Sequence, residues 1–243
     1  MRRWVENIIR AGTTHRNSKA QNRDIILTNS IALFIIAVDI LLTIIHFSSH
    51  RAEKSIFIFL AAGVIQGFVP YLNKKRYTIL SRSILISSII LSILISTLLR
   101  KTEVAYESTF YIARSAILIA SLLFPFAIFH FREKAPLITN LAFGFVITFL
   151  YDPIHNFFGV GYYQMGFNDA DYYYNNFLYF IIYLFSGAIL GYLKYITERY
   201  ELKYEKLIKN LDAKNGQIEN QKEELEASNY LMEKLLTEKD QNL

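Results

Sequence analysis

Six long apolar segments, separated by short polar connections, occupy most of this chain. They cover residues 25–47, 55–72, 79–99, 110–129, 136–151 and 177–193. Segments of roughly 20 apolar residues cross the hydrocarbon core of a bilayer as helices, which satisfy their own backbone polar groups where lipid cannot. The pattern therefore predicts an all-α fold: a six-transmembrane-helix bundle over residues 25–195, with the lipid bilayer as its surroundings.

A charged segment without proline follows the last apolar one. Residues 197–243 are rich in Glu, Lys, Leu, Asn and Gln, most of which favour helix. Apolar residues recur there every seven positions, with two further leucines near the ends, as follows: Tyr204, Leu207, Leu211, Ile218, Leu225, Met232 and Leu235. This spacing is typical of a left-handed coiled coil. We therefore expect residues 196–243 to form a cytoplasmic coiled-coil signalling helix that joins two copies in a homodimer.

The second column of this seam is polar in its middle, at Lys214, Gln221 and Ser228. One apolar and one largely polar column predict a dimer that is weak there. Asn215-Gly216 adds a local cost of about 1 kcal/mol relative to alanine. The seven-residue register continues across this pair, which indicates a soft point within one helix. A solvated single helix with Glu/Lys pairs is the alternative interpretation.

The distribution of Lys and Arg predicts the orientation of the chain. Residues 1–24 hold six Lys or Arg and two acids, whereas residues 152–176 hold no Lys or Arg. Basic residues in short connections mark the cytoplasmic side of a membrane. We therefore expect both termini to be cytoplasmic, residues 152–176 to face outward, and the protein to be a multi-pass protein of the bacterial inner membrane.

Residues 1–24 form a basic cytoplasmic segment. Trp4, Ile8 and Ile9 lie where a short amphipathic helix would place them on the membrane surface. The net charge of +5 is concentrated beside apolar segments, so it indicates membrane topology and we expect no nucleic-acid partner.

Nothing in the sequence predicts catalysis. The chain has no cysteine, which excludes disulfides and thiolate chemistry. Gly159-Val160-Gly161 is typical of a turn and is not a phosphate-binding loop. His130 is followed by Phe131 and by Pro136, unlike a kinase phosphoacceptor segment, and it lies at the end of a span. We expect no cofactor, no metal and no enzymatic activity from these residues.

Two ionisable residues lie within predicted spans. Asp39 lies about 21 Å, and Arg114 about 24 Å, above the predicted cytoplasmic end of the bundle at 1.5 Å per residue. Charged groups at such depth are usually paired, so the matching heights predict an Asp39–Arg114 ion pair. The alternative is that Arg114 extends to the outer headgroups while Asp39 bonds to a neighbouring helix.

The predicted outer loop, residues 152–176, is rich in aromatic and acidic residues. Its candidate ligand-binding residues are Asp152, His155, Tyr162, Tyr163, Asp169 and Asp171. Aromatic walls with a few polar groups suit a small apolar or cationic ligand. His155 with Asp152 and Asp169 would instead offer three donors to a divalent metal. A third interpretation is an interfacial aromatic belt with solvated acids.

The layout resembles the front half of bacterial membrane sensor histidine kinases. Six short-looped spans, a cytoplasmic N-terminus and the sequence QKEELEASN at residues 221–229 carry the resemblance. It implies a sensor in a two-component system that relays a stimulus through the sixth helix to a cytoplasmic output domain or partner protein. Membrane-bound nucleotide cyclases share the layout. Residues 1–243 contain neither a phosphoacceptor segment nor cyclase carboxylates, so the resemblance implies no kinase activity for them. The alternatives are a small transporter or channel, or a membrane scaffold.

Overall fold

The structure, a computed structural model, describes the backbone of residues 2–17, 19–49, 53–103 and 107–241. These residues form eight helices and a short 3₁₀ turn, with no strand among them. The helices are α1 (Arg2–Ile9), α2 (Lys19–Ser49), α3 (Glu53–Lys74), α4 (Thr78–Glu103), α5 (Glu107–Ile128), α6 (Lys134–Phe149), α7 (Tyr151–Phe157) and α8 (Tyr172–Gln241), and the turn is Tyr163–Met165. The chain divides into two compact units, Met1–Tyr192 and Leu193–Leu243.

Five helices of the described residues are long and apolar enough to cross a membrane. The apolar stretches begin within α2, α3, α4, α5 and α8. Many of their large apolar side chains lie on the surface of the chain, such as Phe34, Phe57 and Phe185, each about two-thirds exposed or more. A surface of this kind suits lipid rather than water. The fold is therefore that of an all-helical, multi-pass membrane protein.

The fifth apolar segment, which forms α6 and α7, differs from the straight span expected over residues 136–151. A bend of 54° separates the two helices. Pro153 has no N–H to donate to the carbonyl oxygen four residues earlier, so it cannot continue α6, but it is tolerated in the first turn of a new helix. The two helices together count as a sixth span only if the bent pair is one crossing. The segment expected to be a loop, residues 152–176, therefore begins within helix α7.

The core of the first unit surrounds α4. Helices adjacent in sequence pack side by side from α2 to α6, and α4 also contacts α2 and α6. Leu85, Ile86 and Ile90 of α4 are completely buried. Helices α5 and α6 approach each other closely at Gly144, where an added Cβ would lie 2.2 Å from the Ser121 Cβ.

One end of the first unit, here called the N-terminal side, carries a chain of hydrogen bonds that holds α1. The Asn29 side-chain amide donates to the carbonyl oxygens of Ile9 and Ala11, both at 3.0 Å, and so satisfies groups that the end of α1 leaves unpaired. Asn73 donates to the Asn29 Oδ1 at 2.7 Å. Helix α1 is therefore formed as expected and is fixed to α2 through Asn29, which in turn binds Asn73 of α3, while Trp4 is 66% exposed.

One ion pair and one histidine–carboxylate contact close the same end of the unit. Arg82 of α4 lies 2.7 Å from Glu133, and His130 lies 3.0 Å from Asp24. His130 and Glu133 both belong to the short turn between α5 and α6, which agrees with the interpretation of this segment as the end of a span.

The second unit consists of the rest of α8. The helix continues through Asn215-Gly216 without a break, as expected, and the softness of this point stays a prediction. Lys222 and Glu226 form an ion pair at 3.8 Å. The predicted seam residues Tyr204, Leu207, Leu211, Ile218, Leu225 and Met232 are each at least half exposed in the single chain. The side chain of Leu235 lies outside the described residues. The coiled coil stays a prediction.

Candidate functional site

The end of the first unit opposite α1, here called the loop side, contains a buried cluster around Arg114. The Arg114 Nη1 donates to the Asp152 Oδ2 at 2.9 Å and also to the Asn176 Oδ1. Asn176 in turn donates to the Asp152 Oδ2 at 2.6 Å, and the Tyr172 hydroxyl donates to the Asp152 Oδ1. The Arg114 and Asp152 side chains are only 6% and 16% exposed. We call these four residues the Arg114 cluster.

The Arg114 cluster joins three helices. Arg114 belongs to α5, Asp152 to the first turn of α7, and Tyr172 and Asn176 to the first turns of α8. The guanidinium also lies 5.0 Å from the centre of the Tyr179 ring in α8, within the range of a cation–π interaction. The charge of Arg114 is thus neutralised and its planar face is covered, which makes the cluster a connection between α5, α7 and the start of α8.

The structure does not form the predicted Asp39–Arg114 ion pair, because Arg114 binds Asp152 instead. Matching heights along two helices placed Asp39 and Arg114 at one level, but height does not determine which helix faces provide the nearest acid. The bend before α7 brings Asp152 to Arg114. Asp39 is also buried, at 6% exposed, and its Oδ2 has no hydrogen-bond partner.

An aromatic cluster covers the Arg114 cluster. The rings of Tyr162 and Tyr172 stack at 3.8 Å between centroids, 9° from parallel. Phe110 of α5 meets Tyr162 edge-on at 5.4 Å and Phe167 at 5.7 Å. Other aromatic residues of the loop do not join this cluster, and the Phe157 side chain is 85% exposed. Part of the expected lid therefore forms, as packing between the loop and α5.

The two later acids of the loop differ in their contacts. The Asp169 Oδ2 accepts a hydrogen bond from the Tyr111 hydroxyl at 3.1 Å. The Asp171 side chain is exposed, and its backbone N–H donates to the Asp169 Oδ1 at 2.9 Å. Burial and the neighbouring Tyr173 and Asp169 raise the pKa of the Tyr163 phenol. Tyr163 therefore stays neutral at physiological pH and donates to the Asp169 carbonyl oxygen at 3.3 Å.

His155 is a buried packing residue in this structure. Its Nδ1 lies 2.6 Å from the Tyr151 carbonyl oxygen and its Nε2 lies 3.4 Å from the Thr97 hydroxyl. The alternative in which His155, Asp152 and Asp169 share a metal is not supported, since no three His, Asp or Glu side chains among the described residues are grouped to hold one.

A narrow apolar cleft lies beside Arg114, between α5, α6 and α8. Its walls are Arg114, Phe145, Thr148, Phe149, Phe180 and Tyr183. The cleft has room for about one water molecule, far less than a drug-sized ligand needs. The Arg114 Nε has no hydrogen-bond partner. This cleft is therefore too small for a larger ligand, and the arrangement around Arg114 connects helices.

The sequence predicts two members of the Arg114 cluster as candidate residues but does not predict that they meet. Arg114 and Asp152 were both recognised as candidates, but in separate sites, and Asn176 was not recognised. Its position at the end of the loop, next to an apolar span that begins with aromatic residues, resembles an ordinary boundary residue.

Comparison with known protein families, with curated proteins and with solved structures found no match for this chain.

Proposed function

We propose that this chain is the sensing and relaying region of a membrane signalling protein of sensor histidine kinase type. In this proposal six spans cross a bacterial inner membrane, both termini are cytoplasmic, and the second unit pairs two copies as a coiled coil. The residues present carry no catalysis and pass the signal to an output domain or partner protein.

The observation that supports the proposal is the attachment of the Arg114 cluster to α8. Asn176 and Tyr172 of α8 bind the same carboxylate as Arg114 of α5. A stimulus that alters the loop side would change the hydrogen bonds and charge at the first turns of α8. The helix runs from there to Gln241, so displacement, rotation or tilting of its start is the proposed signal.

Such a relay needs two arrangements that are close in free energy. The seam of the second unit contains Lys214, Gln221 and Ser228, and polar residues in a seam reduce the stability of a coil. A marginal coil is able to change its pairing in response to a small bias, whereas a strongly apolar seam would hold one arrangement.

Cysteine cross-linking in membranes tests the relay. The chain has no cysteine, so Ile218→Cys and Leu225→Cys report on the seam without background, and Glu219→Cys controls for chance collisions. We expect dimeric cross-links at the two seam positions, with rates that change at least about twofold when Asp152→Asn is added. Asp171→Asn, a change to an exposed loop acid, is the matched control and should leave the rates unchanged.

Leucine at positions 214, 221 and 228 should make these rates insensitive to Asp152→Asn, because an apolar seam stabilises one pairing. Equal cross-linking at Ile218→Cys and Glu219→Cys would contradict the coiled coil. If Asp152→Asn does not change the cross-linking rates of the unmodified seam, the result would contradict the relay.

A small transporter is the second candidate, because the first unit buries polar residues away from the Arg114 cluster. Asp39 and Gln66 are 6% and 0% exposed and have unpaired side-chain atoms. Solute flux into reconstituted vesicles, abolished by Asp39→Asn, would favour this candidate over the relay.

A further inference from the structure

The N-terminal side of the first unit carries a strong excess of positive charge. Three segments of the unit meet there: residues 1–24, residues 73–78 between α3 and α4, and residues 129–134 between α5 and α6. They contain six, three and two Lys or Arg residues, against three acids in all. Most of this positive charge therefore has no counterpart within the three segments.

The three acids are already engaged by other side chains. Asp24 and Glu133 are mostly buried and contact His130 and Arg82 at 3.0 and 2.7 Å. The acid of α1 pairs with Arg10 at 3.2 Å. The basic surface, as we call it, comprises six exposed cations that form no ion pair with a described residue: Arg3, Arg16, Lys74, Lys75, Arg76 and Arg132.

Contacts between the three segments hold these cations at one end of the unit. Gly12 lies so close to the end of α3 that an added Cβ would be 2.5 Å from the Asn73 carbonyl oxygen. Asn22 of α2 accepts a hydrogen bond from the Thr14 N–H at 3.1 Å and donates to the Thr14 carbonyl oxygen at 2.9 Å, which fixes the turn that carries Arg16. The histidine–carboxylate contact joins the third segment to the start of α2. The basic surface is therefore built by the fold.

The basic surface lies where the apolar helices end. The apolar stretches of α2 and α3 reach this side at Ala20 and Lys74, and those of α4 and α5 reach it at Thr78 and Ile128. Helix α1 adds Trp4, which is 66% exposed, and tryptophan favours the boundary between lipid and water. Clustered Lys and Arg beside membrane spans and an amphipathic helix are typical of a surface that binds anionic lipid.

We propose that the basic surface binds the anionic headgroups of phospholipids, with Trp4 at the level of these headgroups. Phosphate oxygens accept hydrogen bonds from Lys and Arg, so the headgroups supply the negative charge that the chain itself does not. Lipid is the partner, because the cations border helix surfaces that only lipid chains can cover. This binding does not depend on the proposed relay, whose Arg114 cluster lies at the opposite end of the unit.

Fluorescence of the full chain in lipid bilayers tests the surface, because Trp4 is the only tryptophan of the chain. Bromine atoms on a lipid chain quench tryptophan on contact. In bilayers of anionic phosphatidylglycerol and neutral phosphatidylcholine in equal amounts, bromination of the anionic lipid should quench Trp4 at least about twofold more than bromination of the neutral lipid. Raising the salt concentration from about 0.1 M to about 1 M should reduce this preference, because salt screens exposed charges.

Removal of three cations provides a second comparison. Arg3→Gln, Arg16→Gln and Lys74→Gln together should lower the preference for the anionic lipid by about half or more, because each removes a charge near the headgroups. The matched control replaces three exposed lysines of the second unit by glutamine and should leave the preference unchanged: Lys203, Lys206 and Lys209.

Each of the following results would overturn the proposal. Equal quenching by the two brominated lipids in the wild type would show that the basic surface does not select anionic lipid. Absence of quenching by either lipid would place Trp4 outside the bilayer. An equal loss of preference in the two triple variants would show an effect of net charge alone. Loss of preference when inorganic phosphate replaces chloride at constant ionic strength would show that the surface binds a soluble anion. If the variant of the basic surface fails to fold, the comparison of the two lipids in the wild type still decides.

Discussion

At the scale of single residues, Arg114 shows how a buried charge selects its partner. The Arg114 and Asp152 side chains lie 2.9 Å apart and are nearly inaccessible. Removing one member of such a pair leaves the other charge buried without compensation, which costs about 3–5 kcal/mol. Replacing both with apolar residues removes the charges together, and the loss is often small.

Asp152→Leu should therefore destabilise the protein by about 3–5 kcal/mol, whereas Arg114→Leu combined with Asp152→Leu should recover most of that loss. Reversible denaturation in detergent gives the free energies of unfolding. Asp171→Leu removes an exposed acid from the same loop and should change stability by no more than about 0.5 kcal/mol. A double variant less stable than Asp152→Leu alone would show that the pair does not interact as the structure indicates.

At the scale of elements, two glycines on different helices predict opposite responses to the same substitution. A Cβ on Gly144 would lie 2.2 Å from the Ser121 Cβ, whereas a Cβ on Gly67 would meet no heavy atom within 4 Å. Overpacking a close helix contact typically costs about 1–3 kcal/mol. Alanine in an open helical position instead gains up to about 1 kcal/mol over glycine.

We therefore expect Gly144→Ala to lower the thermal unfolding midpoint and Gly67→Ala to leave it unchanged or raise it. Both variants add one methyl group to a helix of the first unit, so each serves as the control for the other. Equal midpoints for the two variants would contradict the close contact of α5 and α6.

The attachment of α1 provides a second test at this scale. Asn29→Ala removes the donor to the Ile9 and Ala11 carbonyl oxygens and the acceptor for Asn73, so α1 should detach from α2. Trypsin should then cleave after Arg10 and Arg16 several times faster than in the wild type. Ser48→Ala, which removes only a hydrogen bond within α2, should not change these rates, and equal cleavage of both variants would contradict the attachment.

At the scale of the whole molecule, the absence of cysteine allows the orientation of the chain to be measured. Asn168 of the loop, Arg16 near the N-terminus and Lys203 of α8 are exposed. With a maleimide that does not cross membranes, Asn168→Cys should be labelled in intact cells with a permeable outer envelope. Arg16→Cys and Lys203→Cys should be labelled only after lysis. Labelling of Arg16→Cys and Lys203→Cys from opposite sides would exclude an even number of spans.

Much of the helical architecture was predictable, because apolar segments of sufficient length have few alternatives in a bilayer. The beginning of α3 and the continuity of α8 through Gly216 follow from local composition. The partners of Arg114 and Asn29 did not follow from it. Arg114 binds residues of α7 and α8, and Asn29 binds the end of α1, so both depend on how distant segments meet.

The sequence by itself determined the all-helical class, the apolar helices suited to a membrane and the seven-residue pattern of the last segment, because these depend on the spacing of residues along one helix. Only the tertiary structure decided that Arg114 binds Asp152 and that α1 is fixed by Asn29. The physical reason is that a side chain's partner depends on helix rotation and on the bend before α7, and spacing along a single segment specifies neither.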